Sequence, residues 1–375
     1  MKGRTAISGT GLFLPPDTIS NAELVAAFNA FVHKQNEHNR SDIEAGACTG
    51  LLPSGEDFIV KASGIKRRHV VSRDGMLDPE IMCPRLPERG EDELSYSAEM
   101  GVAAARDAMA MAGRAAGDID GVIVSASTME RPYPQIAIEI QQALGIRGFG
   151  FDMLAACSSA TFAIQTASAM IEAGQAQAIL CINPEICTSH LNLRDRETHF
   201  IFGDAATACV VEAADGAGRT KGWEIVDTRM KSQFSSNIRN NFGPLNRFHP
   251  QTMGAPDKLI TQRGRKVFRD VVPMASAFML EHLKLLDLKP SHLKRLWLHQ
   301  ANGHMNDQIA FRVLGREPSP EEAPCILAEY GNTASAGSMI AFHQHNADLA
   351  AGDLGLLCSY GGGYTIGSVV LRKLA

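Results

Sequence analysis

Residues 157–183 read CSSATFAIQTASAMIEAGQAQAILCIN, and residues 332–360 read NTASAGSMIAFHQHNADLAAGDLGLLCSY. Each stretch opens on a polar residue, continues in small residues that suit a closely packed helix, and ends in an apolar run typical of a buried strand. The two stretches therefore predict the same helix and strand in the same order, which indicates an internal duplication. A duplicated unit decides the architecture before any other feature does.

The duplication extends towards the N-terminus of each stretch. An apolar run leads into Ser125 in the first half, and Leu296-Trp297-Leu298 leads into His299 in the second. A helical segment follows each run and is predicted to end at Gly145 in the first half and at Gly315 in the second. The spacing also agrees, because 157 minus 125 is 32 and 332 minus 299 is 33. Ser125 therefore corresponds to His299, and Cys157 corresponds to Asn332.

Two alternating β/α halves with continuous apolar strands predict an α/β protein with parallel-rich sheets covered by helices. We expect one half over 1–218 and the other over 219–375, fused into one body because no low-complexity linker separates them. The Ala- and Met-rich residues 94–113 predict a long helix that ends at a glycine. Residues 28–57 and 71–92 are polar or rich in proline, which predicts surface excursions from the core.

Composition excludes several classes of function. The chain has 375 residues, a formal net charge of −5 and a pI near 6.2, which do not indicate a nucleic-acid-binding face or a polybasic membrane anchor. No apolar run has the length of a membrane span, and the first residues lack the pattern of a signal peptide, so we expect a cytoplasmic protein. The 8 cysteines show no disulfide pattern and no spacing for a metal site.

Three polar residues lie at predicted junctions, where one element ends and a helix or turn begins. Cys157 lies at such a junction, where helix N–H groups and the helix dipole favour a thiolate. Taken alone, Cys157 could equally be a buried thiol that fills space in the core. His299 and Asn332 occupy the equivalent junctions of the second half, and junctions at the carboxyl ends of parallel strands gather functional groups. The three together predict a site for nucleophilic chemistry.

A glycine loop, Gly361-Gly362-Gly363, follows the final apolar strand that the sequence predicts. Glycine lets backbone N–H groups approach a bound group closely, so the Gly362 and Cys157 amides could form an oxyanion hole. The same sequence could also be a simple turn at the edge of a sheet.

These residues belong to motifs that run along nearly the whole chain, in an order and spacing that resemble the β-ketoacyl-acyl carrier protein synthase III family. The motifs are ISGTGLFLPP (7–16), GIKRRH (64–69), AACSS (155–159), FGDAATA (202–208), HQAN (299–302), GNTASAGS (331–338) and YGGGYTIGS (360–368). The resemblance implies a thiolase fold, with duplicated βαβαβ halves in an α-β-α-β-α arrangement. It also implies an acyltransferase that needs no cofactor besides its CoA thioester substrate.

By resemblance, Cys157 is acylated from an acyl-CoA. His299 and Asn332 then stabilise the enolate oxygen as malonyl-acyl carrier protein loses CO2, and the carbanion attacks the Cys157 thioester. A covalent intermediate divides one difficult reaction into two steps, and a hydrogen-bond donor aimed at an oxyanion contributes about 3–4 kcal/mol.

Other residues carry implied roles. The resemblance places Phe58 and Arg196 on either side of the CoA adenine, and it places Gly264 and Asn302 along the substrate path. Tyr133 would reach across a homodimer to close the partner's acyl pocket. The chain departs from the usual family pattern at Phe58, where tryptophan is common, and at Ala62 and His304, where arginines are common. An acidic carrier protein could meet a basic patch of Lys266, Arg269, Arg295 and Arg312.

The layout of the two excursions resembles members that extend medium-chain primers, such as octanoyl-CoA to 3-oxodecanoyl-acyl carrier protein. An acetyl-CoA-primed synthase III, a polyketide-type condensing enzyme and a non-catalytic partner subunit remain alternatives. A condensing enzyme that relies on a glutamate base near the cysteine is not favoured, because no motif signals such a residue.

Overall fold

The computed structural model describes residues 4–214, 221–241 and 243–375. Its strands are β1 (Thr5–Phe13), β2 (Asp17–Ser20), β3 (Arg67–Val70), β4 (Gly121–Ala126), β5 (Phe149–Leu154), β6 (Ala178–Glu185), β7 (Ala205–Ala213), β8 (Trp223–Ser235), β9 (Ile238–Arg239), β10 (Thr261–Gln262), β11 (Leu293–Leu298), β12 (Leu354–Gly361) and β13 (Gly363–Lys373). Its helices are α1 (Asn21–His38), α2 (Arg40–Glu44), α3 (Glu56–Ser63), α4 (Tyr96–Ala112), α5 (Ile136–Leu144), α6 (Ser159–Glu172), α7 (Gly264–Leu285), α8 (Gly303–Leu314), α9 (Leu327–Tyr330) and α10 (Ala336–Gln344).

Within the described ranges, nine strands form one hydrogen-bonded sheet in the order β11-β12-β13-β8-β1-β7-β6-β4-β5. The five strands from the first half lie together, and the four from the second half lie together. The halves meet at β1 and β8, which share a register of only three residue pairs. The predicted boundary between residues 218 and 219 falls outside the described residues.

Helices cover this sheet in three layers. Helices α4 and α5 pack on the strands of the first half. Helix α7 packs on β12 and β13 and contacts α8, whose buried residues join the same apolar cluster as β11 and β12. Helices α6 and α10 contact strands of both halves and so lie between them. Small residues on α6, such as Ala160, Ala163 and Ala167, let both strand layers come close. The predicted layered arrangement is thus confirmed.

The expectation of parallel-rich sheets is correct only next to the site. β4 pairs in parallel with β5 and β6, and β11 pairs in parallel with β12. The remaining pairs of the large sheet are antiparallel, because β7 returns beside β6 and β13 returns beside β12. A further departure from exact duplication precedes Asn332, which follows α9 and makes only an isolated bridge to Phe202, whereas strand β5 precedes Cys157.

The predicted helix ends are confirmed. Ser95 caps α4 by accepting the Ala98 N–H, and Gly113 ends α4 in the left-handed region at φ 64°. Gly145 and Gly315 end α5 and α8 in the same way. Glycine is favoured at these positions because it has no Cβ to clash in that conformation.

The two predicted excursions contribute more to the core than their polarity indicated. Residues 28–57 include most of α1, whose Phe28, Phe31 and Val32 are buried. Residues 71–92 supply Met76 and Met82 to the same apolar cluster. The expectation of pure surface excursions is therefore wrong, because apolar side chains spaced along polar segments still bury one face. In the described part of the chain, no helix is long and apolar enough to cross a membrane.

Candidate active site

One cavity of about 570 Å³ brings the three predicted polar residues together. Cys157, His299 and Asn332 all line it, although they follow different elements and lie as much as 175 residues apart in the sequence (332 minus 157). The rest of the wall is largely apolar, with Phe200 and Phe202 from the first half and Ile238 and Val267 from the second. A mainly apolar cavity with a few convergent polar groups is the usual form of a small-molecule site.

Cys157 sits in a sharp turn between β5 and α6. Residues Ala156–Ser158 form a short 3-10 turn, and Ala156 has a φ of 49°, a region that residues with a Cβ rarely adopt. The turn is anchored at several points, since Ser158 Oγ donates to the Thr365 carbonyl at 3.0 Å and Thr365 Oγ1 donates to the Ala155 carbonyl at 3.0 Å. Strain held by surrounding contacts is common at functional sites.

The thiol of Cys157 is protonated at rest, contrary to the expectation of a favoured thiolate. Burial and the charge of Glu185 raise its pKa to about 12. Backbone hydrogen bonds from Gly362 and from Cys157 itself oppose that shift, as the sequence led us to expect, but they are weaker than desolvation. The residue as a whole is half-buried, because one side faces the cavity. Attack on an acyl group therefore requires a proton acceptor.

His299 directly follows β11, and its backbone N–H donates to the Cys358 carbonyl at 2.8 Å. Its imidazole is buried and meets the ring of Tyr360 edge-on, with centroids 5.3 Å apart. Burial lowers the pKa of His299 to about 4, opposed by a backbone hydrogen bond with Ala334. The ring is therefore neutral near pH 7, so one of its nitrogens can accept a proton and the other can donate a hydrogen bond.

Asn332 is held through both its backbone and its side chain. Its N–H donates to the Ile201 carbonyl at 2.9 Å, and its own carbonyl accepts the Gly203 N–H at 3.1 Å. The side-chain Oδ1 accepts the Ala334 N–H at 2.9 Å. The side-chain NH2 is therefore the group left to donate towards a molecule in the cavity.

Several residues with implied binding roles also lie in the cavity wall, namely Phe58, Gly264, Asn302 and His304. Asn302 caps α8 by accepting the Met305 N–H at 3.2 Å, and its Nδ2 donates to the Ala62 carbonyl. His304 bonds to the Lys61 carbonyl through Nε2. Lys61 and Ala62 themselves line the cavity. Helices α3 and α8 are thus tied together at its mouth.

Arg196 and Phe58 are stacked directly on each other. The guanidinium carbon lies 3.9 Å from the Phe58 ring centroid, and Arg196 Nε donates to the Pro53 carbonyl at 2.8 Å. The two groups are in direct contact, so the adenine ring of CoA can enter between them only if they move apart. Tyr133 lies away from this cavity and is 79% exposed.

The predicted basic patch needs a correction. Lys266 and Arg269 are exposed near the start of α7, and Arg312 is exposed on α8. Arg295 is buried and makes paired hydrogen bonds to Asp348 at 2.8 and 2.9 Å, so it cannot meet a partner. Its place in an apolar strand was the available signal that the residue is structural.

Glu185 was missed by the sequence reasoning. It ends β6, is fully buried, and raises the pKa of Cys157 through its charge. Hydrogen bonds from Ser127 and Ser335 occupy its oxygens, and it does not line the cavity. Glu185 is therefore not placed as a base in contact with substrate. A carboxylate at the end of an otherwise apolar strand was the signal that could have found it.

Comparison with known proteins decides the family. Models for 3-oxoacyl-[acyl-carrier-protein] synthase III and for its C-terminal region match residues 151–233 and 283–373. A β-ketodecanoyl-[acyl-carrier-protein] synthase of Pseudomonas aeruginosa is 55% identical over 347 residues, which cover 92% of this chain and 99% of the relative. The chain belongs to the β-ketoacyl-acyl carrier protein synthase III family. It is therefore an acyltransferase of the condensing-enzyme type.

Other synthase III proteins support the same assignment. The β-ketoacyl-[acyl-carrier-protein] synthase III of Brucella suis is 33% identical over 328 residues, covering 86% of this chain and 92% of the relative. The crystal structure of the synthase III from Aquifex aeolicus superimposes with a TM-score of 0.75 at 25% identity, covering 98% of this chain and 99% of that one. A synthase III structure from Pseudomonas aeruginosa gives a TM-score of 0.76 at 22% identity, over 99% of both chains, which shows the shared thiolase fold.

Proposed function

We propose that this synthase III transfers a medium-chain acyl group from CoA to Cys157 and condenses it with malonyl-acyl carrier protein, giving 3-oxoacyl-acyl carrier protein, CO2 and CoA. The observation that carries the proposal is the convergence of Cys157, His299 and Asn332 on one cavity. The relative named β-ketodecanoyl-[acyl-carrier-protein] synthase supports an eight-carbon primer, because condensation adds two carbons to reach ten. We expect no cofactor or metal to be needed.

In the acylation step, the protonated Cys157 thiol must lose its proton as it attacks the thioester. Neutral His299 offers an acceptor nitrogen in the same cavity. The Gly362 N–H that bonds the thiol and the Cys157 N–H are the donors proposed for the thioester oxygen. As the new carbon–sulfur bond forms, the bond to CoA breaks, and CoA leaves as a thiol by taking the proton held on His299, which returns that ring to its neutral form.

In the condensation step, the malonyl thioester loses CO2, and negative charge develops on its carbonyl oxygen. The Asn332 NH2 and a His299 ring N–H are the donors proposed for that oxygen. Asparagine does not titrate, and the low pKa of His299 keeps its ring neutral, so neither donor depends on added charge near pH 7. The resulting carbanion attacks the acyl carbon on Cys157, the carbon–sulfur bond breaks, and the Cys157 thiolate takes a proton from solvent to restore the thiol.

The proposal includes a cytoplasmic homodimer. Strand β5 lies at one end of the large sheet and pairs on one side only. Leu154, at the end of β5, is 62% exposed, and Tyr133 is 79% exposed. An edge strand with apolar neighbours is a common site for pairing with a second copy, which would bury both side chains.

The test separates the two steps. Protein is incubated with radiolabelled acyl-CoAs from two to twelve carbons, and label bound to protein is measured for wild type and Cys157→Ala. We expect strongest labelling at about eight carbons and none in the variant. His299→Ala and Asn332→Ala should still become labelled, more slowly for His299→Ala, but should release CO2 from malonyl-acyl carrier protein at least about 100-fold more slowly. Absence of labelling by every primer refutes the function, and undiminished CO2 release refutes the roles of the two residues.

A further inference from the structure

The buried carboxylate of Glu185 joins two junctions from opposite halves of the molecule. Ser127 follows β4, and Ser335 immediately precedes α10. Glu185 Oε1 accepts the backbone N–H of Ser127 at 2.9 Å and that of Ser335 at 3.0 Å. The Ser335 hydroxyl also donates to Oε1, and the Ser127 hydroxyl donates to Oε2 at 2.5 Å. The Glu185 side chain thus binds Ser335, which lies 150 residues further along the sequence (335 minus 185).

The four donors favour the ionised carboxylate. Burial raises the pKa of Glu185 to about 7, while the hydrogen bonds from Ser127 and Ser335 oppose that shift. The carboxylate also lies at the N-terminal end of α10, where the helix dipole favours a negative charge. A buried charge with all its strong acceptor positions occupied fixes the groups that bind it.

Ser335 belongs to the same short turn as Asn332. Within that turn, Ala334 has a φ of 45°, and its N–H holds the Asn332 side-chain oxygen. The backbone of Ala334 also bonds with His299. A non-glycine residue in this conformation persists only where surrounding contacts impose it. The Glu185–Ser335 contacts are therefore in a position to set the orientation of both donors proposed for decarboxylation.

The Cys157 turn is held mainly by contacts that do not involve Glu185. Ser158 and Thr365 fix it from β13, and Ser159 Oγ donates to the Ala126 carbonyl at 2.8 Å. Glu185 makes no direct hydrogen bond to this turn; it reaches the turn through its charge, which raises the thiol pKa, and through the Ala126–Ser127 peptide group, whose N–H it accepts and whose carbonyl Ser159 binds. Removing that charge makes the thiol easier to ionise, so acylation has no reason to slow.

We propose that Glu185 is a positioning residue for decarboxylation, which holds the Asn332–Ser335 turn and through it the Asn332 and His299 donors, while acylation of Cys157 depends mainly on the Thr365 contacts from β13. This inference rests on the function proposed above and adds a residue to it. Glu185 touches no substrate, so its effect is on geometry alone. A shift of about 1 Å in a positioned group can lower a rate by about 100-fold.

The decisive comparison uses Glu185→Ala and Glu185→Gln. Alanine leaves the buried Ser335 N–H without a partner, and we expect CO2 release from malonyl-acyl carrier protein to fall about 100-fold, with Cys157 labelling within about threefold of wild type. Glutamine keeps one carbonyl oxygen, which can accept both backbone N–H groups at the Oε1 position. It should therefore restore decarboxylation to within about fivefold of wild type. Glu212 on β7 is also a buried carboxylate, and it pairs with Arg114. Glu212→Gln is therefore the control for loss of a buried charge.

A matched pair of serine variants keeps the test informative if Glu185→Ala does not fold. Ser335→Ala and Ser127→Ala each remove one hydroxyl bond to the same carboxylate. Only Ser335 adjoins the Asn332 turn, so Ser335→Ala should lower CO2 release about tenfold and Ser127→Ala no more than about threefold. Equal effects of the two serine changes, or equal loss of labelling and CO2 release in Glu185→Ala, overturn the positioning role. Failure of wild-type protein in both reactions instead counts against the proposed function.

Discussion

Replacing Gly361 by alanine should lower the rate of Cys157 acylation far more than it lowers the stability of the fold. Gly361 ends β12 directly against Cys157, and a Cβ at this position would lie 2.6 Å from the Cys157 Cβ. It would also lie 3.0 Å from both the Cys157 backbone nitrogen and Sγ. Carbon atoms in contact prefer a separation of about 3.5 Å or more, so the two chains must move apart by about 0.9 Å.

That movement falls on a turn with little freedom. The Cys157 turn is anchored by Thr365 from β13, and β12 is hydrogen-bonded on both sides, so neither element yields easily. Displacement of a reacting atom by about 1 Å lowers a rate by about 100-fold. Overpacking of this kind costs about 1–3 kcal/mol of stability, which should lower Tm by a few degrees only.

The assay measures the initial rate of Cys157 labelling by radiolabelled octanoyl-CoA, together with Tm. Gly361→Ala should label about 100-fold more slowly than wild type at a temperature where both are folded. Gly117→Ala is the matched control, because no other atom lies within 4 Å of a Cβ at that position. A Gly361→Ala protein that labels at the wild-type rate refutes the reasoning.

Three further predictions concern buried and exposed ionisable groups. Desolvation lowers the pKa of both His190 and His199 to about 4, from 6.5, so each binds a proton more readily when unfolded. Each histidine should therefore contribute a loss of about 3 kcal/mol of stability as pH falls from about 6.5 towards 4, while burial raises the pKa of Glu185 to about 7 and of Asp204 to about 6, which acts in the opposite direction. Between pH 7 and 4.5 a His190→Phe variant should lose less Tm than wild type, and equal losses in the two proteins contradict this. Arg269→Glu should raise KM for malonyl-acyl carrier protein severalfold in a salt-dependent way. Arg295→Ala should lower Tm without that change in KM, because its charge is buried against Asp348.

The helix ends could be predicted from sequence because they depend on local chemistry. Gly113, Gly145 and Gly315 end helices wherever a left-handed residue is needed, and that requirement is set within a few residues. The positions of Cys157 and Asn332 could also be predicted, since the duplication places both at the starts of matching helices.

Only the tertiary structure decided the chemical state of the site. The strand-to-helix position of Cys157 indicated a thiolate, yet burial outweighs the helix-end amides and keeps the thiol protonated. Desolvation depends on every neighbour that surrounds a group, and those neighbours come from distant parts of the chain. The same holds for Arg295, because the sequence shows its charge but not its pairing with the Asp348 carboxylate.

Glu185 shows most clearly what the sequence alone could not predict. Its sequence neighbours identify only the end of an apolar strand, whereas its function in the fold depends on Ser335, which lies 150 residues away (335 minus 185). Periodicity and spacing determine which elements form and which residues stand at their ends. The pairing of those ends across the two halves is a property of packing, and it is packing that gives the Cys157, His299 and Asn332 cavity its geometry.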